Sequence, residues 1–457
     1  MNTVSKPVRV LAAAAVAVTM SACVGGPAPV QATAATATTA TAGPEIPGTP
    51  AGTQLRWLLD ALSRPPVAES ELAGHFAAGF LEQIPAAQLN QVFAGFKGMR
   101  LEQVTQSQDS SLTALGRVGG TVGGTVGGTA YEILLSVDGT GAISGLLFRV
   151  PAPKSWAELD GRLRKVAPQA GFLAAELTKG GDCRPAHAVA RDTARPLGSM
   201  FKLYVLGAVA ERIRSGAFGW DTRLTITPEL KSLPSGQLQD RPDGSKVSVL
   251  EAARLMISIS DNTATDLLIH KVGRKAVERT MRAWGNHDKR NVPLLTTREL
   301  FVLKGAGYPR HTERYLPMSV AERRTYLERV VAKVPLPDIA PWSAPRELET
   351  VEWFGSPADV CEAYAGLAKL RDKRVGEVLS INDAGLGLDR QQWPTMWFKG
   401  GSEPGVLDMG FLARTKDGRA YAVTALAVDP DAPFDAQQDQ SEVLALARGA
   451  FALVKGS

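Results

Sequence analysis

Arg195-Pro196-Leu197-Gly198-Ser199-Met200-Phe201-Lys202 is the stretch on which the reading of this chain turns. Ser199 and Lys202 are three residues apart, so on a helix they share one face and the hydroxyl meets the amine. An amine whose charge is disfavoured by a dry site takes a proton from a serine hydroxyl. Pro196 and Gly198 precede the pair, so the motif opens a helix, where the amide dipoles favour negative charge. A Ser-x-x-Lys pattern occurs nowhere else in the 457 residues.

Two further clusters follow in order. Ser260-Asp261-Asn262 ends an apolar helical run, Leu255, Met256, Ile257 and Ile259, and precedes another over 263–270. Taken alone, Asp261 or Asn262 reads as a helix cap. Lys399-Gly400-Gly401-Ser402 ends the apolar strand segment Met396-Trp397-Phe398. Strand-like segments lie near 171–177, 186–191, 396–399, 409–414 and 420–428, the last two joined through Lys416-Asp417-Gly418. Helical spacing marks Trp156, Leu159, Leu163 and Val166, a long region from 199 to 271 broken by polar loops, and a closing helix over 441–454. Strands from both ends with helices between predict one sheet flanked by a helical region.

Together and in this order, the three clusters match the set shared by class A β-lactamases and penicillin-binding proteins. Residues 153–457 resemble that serine hydrolase family. The resemblance implies a β-lactamase-like domain of α/β (α+β) class, an antiparallel sheet plus a helical subdomain. It also implies roles. Ser199 is the acylated nucleophile and Lys202 its base. Ser260 passes the proton toward the leaving group, and Asn262 holds the lysine and the substrate amide. Lys399 attracts a substrate carboxylate, with Gly400, Gly401 and Ser402 on the same binding edge. The backbone amides of Ser199 and Ser402 form an oxyanion hole. The expected substrate is a β-lactam or a D-amino-acid peptide bearing a carboxylate. No cofactor and no metal are expected: His187, His270, His287 and His311 show no ligand spacing. No Gly-x-Ser-x-Gly surrounds a serine, which argues against a Ser-His-Asp hydrolase.

The sequence departs from the family pattern in two places. Gly400 stands where the family carries Thr or Ser, so a carboxylate-binding hydroxyl is missing, and Ser402 replaces it in part. No Glu followed closely by Leu-Asn occurs between Asn286 and Ser356. Glu299, in Thr296-Thr297-Arg298-Glu299, is the nearest candidate to activate a deacylating water, the alternative being a surface role. Without a placed base the acyl-enzyme is expected to be long-lived. Residues 300–355 hold Pro309, Pro317, Pro335, Pro337, Pro341 and Pro345 with a charged helical stretch at Ser319–Lys333, and read as an insertion near the site mouth. A hydrolase or esterase with weak β-lactamase activity, a D-alanyl-D-alanine peptidase or transpeptidase, and a sensor that acylates once all stay open.

Residues 51–152 read as a small α+β domain. Helical stretches at 54–62, 69–83 and 86–96 are punctuated by Pro65, Pro66 and Pro85. Tyr131, Ile133, Leu135 and Val137 alternate as a strand, and Asp138-Gly139-Thr140-Gly141 turns into a second at 143–150. Between helices and strands, Val-Gly-Gly-Thr occurs three times over 118–129, an expanded, flexible hairpin loop. No Lys-Ser/Thr follows it, so it is no phosphate cradle. His75 reads as structural. The layout is similar to that of two-domain actinobacterial proteins of the clavulanic acid biosynthesis type. In those, a cone-shaped steroid-isomerase-like domain precedes a β-lactamase-like one, and weak cephalosporin esterase activity is associated with the group.

Residues 1–22 have the form of a secretory leader: basic Lys6 and Arg9, then an apolar run over 10–19 too short to span a bilayer. It ends in Met20-Ser21-Ala22-Cys23, similar to a lipobox, so Cys23 is expected to carry lipid and hold the protein on the outer face of a membrane. The Ala-, Thr-, Pro- and Gly-rich residues 23–50 read as a disordered tether. In that oxidising setting Cys183 and Cys361 are free to pair or not. The net charge of +5, with basic residues scattered, excludes a nucleic-acid partner.

Overall fold

The computed structural model describes residues 44–455 apart from 120, 123, 124, 127 and 234. The expected leader, Cys23 and most of the 23–50 tether lie outside the described residues. The chain divides into two compact units, one ending at Pro151 and the next beginning at Ala152.

In the first unit, Thr49 caps the helix Pro50–Ser63 by accepting from Gly52 N, and Pro50 takes the first turn, where no N–H is needed. Leu55, Leu58 and Leu62 fall on one face and are fully buried. The stretch expected as one helix over 69–83 is two, Glu69–His75 and Ala78–Gln83. Phe76 leaves the helical path to bridge Ile143, so tertiary pairing overrides local propensity. A fourth helix, Ala86–Gly95, leads into an antiparallel sheet ordered Arg100–Ser107, Ser111–Val118, Thr129–Val137, Ile143–Arg149. The sequence predicts only the last two strands. Arg100–Ser107 is a largely exposed edge whose polar residues hide the alternation. The Val-Gly-Gly-Thr repeat joins Val118 to Thr129, with Thr121–Val122 paired to Thr125–Val126. His75 stacks on Trp57 at 3.9 Å, with Nδ1 2.9 Å from Gln54 Oε1.

The second unit holds a five-stranded antiparallel sheet in the order Thr395–Glu403, Val406–Arg414, Ala420–Val428, Gln169–Leu177, Cys183–Val189. Every residue of Ala420–Val428 is buried, because both faces of the sheet are covered. On one face Phe172, Phe411 and Val423 meet the helices Trp156–Val166 and Gln438–Lys455. On the other, Trp397, Leu412 and Leu426 join the helices Lys202–Arg214, Val249–Ser258, Asn262–Val272 and Pro357–Leu370. Adjacent residues Phe411 and Leu412 go to opposite faces, as a strand requires. Lys202 to Ala210 are all buried, so this helix is central rather than amphipathic. The region 199–271 is less helical than expected, since Arg223–Thr225 and Lys246–Ser248 pair as a ribbon. The 300–355 segment carries helices Arg310–Tyr315 and Val320–Arg329, the second started by a Ser319–Glu322 capping box. Cys183 and Cys361 form a disulfide that staples the last sheet strand to Pro357–Leu370.

Candidate active site

Gly198–Phe201 is a turn of 3₁₀ helix, and the α-helix begins only at Lys202. Leu197 N donates to Trp353 O at 2.7 Å, and the Trp353 ring stacks on Phe201 at 3.7 Å. The turn is thus braced on both sides of Ser199. Ser199 itself is half-buried, while Leu197, Gly198 and Met200 are buried.

Lys202 has no solvent exposure. Its Nζ lies 2.7 Å from Ser260 O, 2.8 Å from Asn262 Oδ1 and 3.0 Å from Ser260 Oγ. Among the described residues no hydrogen bond joins it to Ser199. The expected direct meeting of Ser199 hydroxyl and amine is not made among the described residues, and the amine is linked to Ser260 instead. Burial, and then the charge of Lys399, hold Lys202 well below the ordinary lysine pKa.

Lys399 is almost as buried, and its Nζ lies 3.2 Å from Ser260 Oγ and 2.6 Å from Gly400 O. Burial brings its pKa down to about 7. Ser260 Oγ therefore sits between two desolvated amines. Its backbone is left-handed, with φ 59°, a strained state of the kind that functional sites hold.

Asp261 supplies the scaffolding. Its Oδ1 accepts from Ala264 N as a helix cap, and its Oδ2 accepts from Gln237 N and Leu238 N. Ser235 Oγ donates to Ser260 O at 2.9 Å, and Asn262 N donates to Ser235 O. A loop that the sequence did not single out is thereby sewn onto the Ser260 cluster. Asn262 Nδ2 donates to Leu233 O at 3.0 Å, so one of the N–H groups expected to serve a substrate amide points at this loop.

The strand Thr395–Glu403 closes the site. A Cβ at Gly401 would lie 2.1 Å from Leu197 O and 3.1 Å from Ser199 N, so only glycine lets the strand approach the Ser199 turn this closely. That approach brings the Ser402 amide into the neighbourhood of the Ser199 amide. A Cβ at Gly400 would lie 3.0 Å from Phe398 Cζ, so the Phe398 ring crowds the place of the missing hydroxyl. Ser402 is exposed and shares the Gly400 face of the strand.

Glu299 is neither a surface residue nor an available base. It accepts from Thr296 N at 2.8 Å in a capping box, and Arg274 grips its two oxygens at 2.6 and 2.8 Å. Helix start and ion pair consume the carboxylate, which corrects both readings of it. Asp266 escaped the sequence reading altogether. It is buried and accepts from Thr297 N, Thr297 Oγ1 and Arg298 N, tying the helix Thr297–Gly305 to Asn262–Val272. Burial raises its pKa to about 6. No local signal marks it, since its partners are remote in sequence.

The arrangement is a half-buried Ser199 hydroxyl on a braced turn and a Ser260 hydroxyl held between the Lys202 and Lys399 amines. Residues 156–330 match the family model described as the β-lactamase enzyme family, and residues 46–143 match the one described as ORF 12 gene product N-terminal. No curated protein matches the chain. Among solved structures, PBP-A is 19% identical over 68% of this chain and 100% of its own, with a TM-score of 0.43. The β-lactamase of Sphaerobacter thermophilus is 18% identical over 66% of this chain and 98% of its own, with a TM-score of 0.46. That of Francisella tularensis is 13% identical over 65% and 100%, with a TM-score of 0.46. From the family match and the sheet-plus-helices architecture, the second unit has a β-lactamase-like fold, and an N-terminal region of the ORF 12 type precedes it in the sequence.

Proposed function

We propose that this chain is an exported, lipid-anchored serine hydrolase that acylates at Ser199 and acts on an ester or amide beside a carboxylate. The substrate class is a β-lactam or a related ester, with weak β-lactamase turnover. The observation that carries the proposal is the placement of Ser260 Oγ between two buried amines, 3.0 Å from Lys202 and 3.2 Å from Lys399. Neutral Lys202 takes the Ser199 hydroxyl proton as Oγ bonds to the carbonyl carbon, and the carbonyl electron pair moves onto its oxygen. The Ser199 and Ser402 amides receive that oxyanion. Collapse breaks the bond to the leaving group, which takes its proton from Lys202 through Ser260. Charged Lys399 holds the carboxylate. The disulfide fits an oxidising compartment, in keeping with export and with lipid at Cys23.

One observation favours a second reading. Glu299 is committed to Arg274 and the helix start, so the candidate deacylation base is gone. A slow acyl-enzyme suits a D-alanyl-D-alanine peptidase or a sensor that hardly turns over. Intact-protein mass spectrometry of the full-length chain in detergent, with a penicillin and a cephalosporin, separates these. A Ser199-dependent adduct that decays with product supports the hydrolase, and one that persists supports the second reading. The absence of any adduct in the parent protein, with Ser199→Ala as control, would sink the acylation proposal.

A further inference from the structure

Lys304, in the helix Thr297–Gly305, has no solvent exposure and no place in the acylation chemistry above. Its ammonium lies 2.8 Å from Glu352 Oε1 and 2.6 Å from Glu403 Oε1. Each carboxylate is one residue away from a group that shapes the site. Glu403 directly follows Ser402, one of the two oxyanion donors. Glu352 directly precedes Trp353, whose carbonyl accepts from Leu197 N and whose ring stacks on Phe201. Glu352 Oε2 accepts from Trp353 N at 3.2 Å, so carboxylate and bracing residue are held together. Leu197 and Phe201 flank Ser199, whose amide is the other donor. One buried ammonium therefore connects the strand carrying the first donor to the loop bracing the turn that carries the second.

The electrostatics fit a rigid strut. Burial opposes the Lys304 charge, but Glu352 and Glu403 outweigh it and its pKa is raised. Burial, then the Glu352 charge, hold Glu403 well above the ordinary carboxylate range. One ammonium thus serves two acidic side chains. A simple stability bridge needs a single carboxylate, whereas the second one here is spent on the strand that bears Ser402.

We infer that Lys304 is a positioning residue for acyl transfer: the Glu352–Lys304–Glu403 trio sets the spacing of the Ser199 and Ser402 amides, so that both donate to the oxyanion. The inference rests on the acylation reading, and it touches neither substrate nor the reacting atoms. Groups that support a reacting shell in this way are worth about 10–100-fold.

The test uses the full-length chain in detergent with a penicillin, following acylation by stopped-flow and the acyl carbonyl stretch by infrared difference spectroscopy. Lys304→Met is expected to acylate about 10–100-fold more slowly, at unchanged non-covalent affinity. Its carbonyl band should move to higher frequency and broaden as the oxyanion donors drift. Glu352→Gln keeps the volume and a hydrogen bond while removing the charge, and should show the same slowing and band shift if Lys304→Met does not fold. Glu403→Leu removes the partner on the strand that bears Ser402 and should show the same slowing and band shift. Parental acylation rate and band in Lys304→Met or Glu352→Gln would overturn the inference. So would slowing that arises only from weaker binding. A parent protein that forms no adduct fails the acylation reading instead, which keeps the two failures apart.

Discussion

The second unit buries lysines in two regions that depth alone does not distinguish. Lys202 and Lys399 face each other across Ser260, and the hydrogen bonds of both amines go to hydroxyl, carbonyl and carboxamide oxygens. Burial lowers both pKa values. Lys304 is just as buried, yet it sits on Glu352 and Glu403 and its pKa is raised. A desolvated amine without a bonded counter-ion becomes a base, and one with two becomes a strut. The partner, rather than the burial, separates chemistry from architecture.

The comparison breaks first at Lys202. If it is the base, Lys202→Met should slow acylation of Ser199 by about 10²–10⁴, the usual worth of a positioned base. Rapid-quench mass spectrometry reads this directly. A parental rate in a folded variant would make Lys202 a second strut and move the base elsewhere.

The pH dependence sharpens it. The second-order acylation rate reports groups of the free enzyme. Lys399 is charged below about 7 and loses its proton above it, so its hold on a substrate carboxylate weakens as pH rises. The rate should fall toward tenfold per unit on the alkaline side of about 7. An esterified substrate without the carboxylate should lack that limb. Lys202 acts as the neutral amine, so its own limb runs the other way, rising with pH through its lowered value. Lys304, with a raised pKa, should contribute no limb in this range. A rate that stays level above 7 with the carboxylate substrate would remove Lys399 from the reactive region.

Glu299 gives the smallest kinetic effect. Glu299→Ala strips Arg274 of its buried partner and weakens the helix start, so stability should drop by about 2–4 kcal/mol in a denaturant melt. Deacylation of a penicillin adduct should stay within about twofold of the parent. A deacylation rate lowered by orders of magnitude, at retained folding, would restore Glu299 as the base.

Much of this was legible locally. Helices with period-3.6 burial, such as Trp156–Val166, stand where the spacing of Leu159 and Leu163 puts them. The central strand over 420–428 follows a nearly continuous apolar run, because a strand covered on both faces needs no alternation, whereas the strands over 395–403 and 406–414 extend beyond the apolar segments 396–399 and 409–414 that the sequence offers. The motifs of Ser199, Lys202, Ser260, Asn262 and Lys399 were readable because they recur in a fixed order, and hydrogen bonds gather Lys202, Ser260, Asn262 and Lys399 in one place. The edge strand Arg100–Ser107 was not, since exposure leaves it no apolar signature. The break at Phe76 was not either, since its cause is a pairing with Ile143 far along the chain.

The sequence by itself determined the three motif clusters, the two-unit layout and the apolar pattern that makes a sheet between helices. Tertiary structure alone decided which neighbours those side chains meet. It turned Lys202 toward Ser260, gave Glu299 to Arg274, sewed the 235–238 loop onto Asp261 and placed Lys304 between Glu352 and Glu403. The reason is physical. Residue type fixes donors, acceptors and charges, but desolvation and pairing depend on neighbours tens of residues away, and those two terms set the proton affinity of every group in the site.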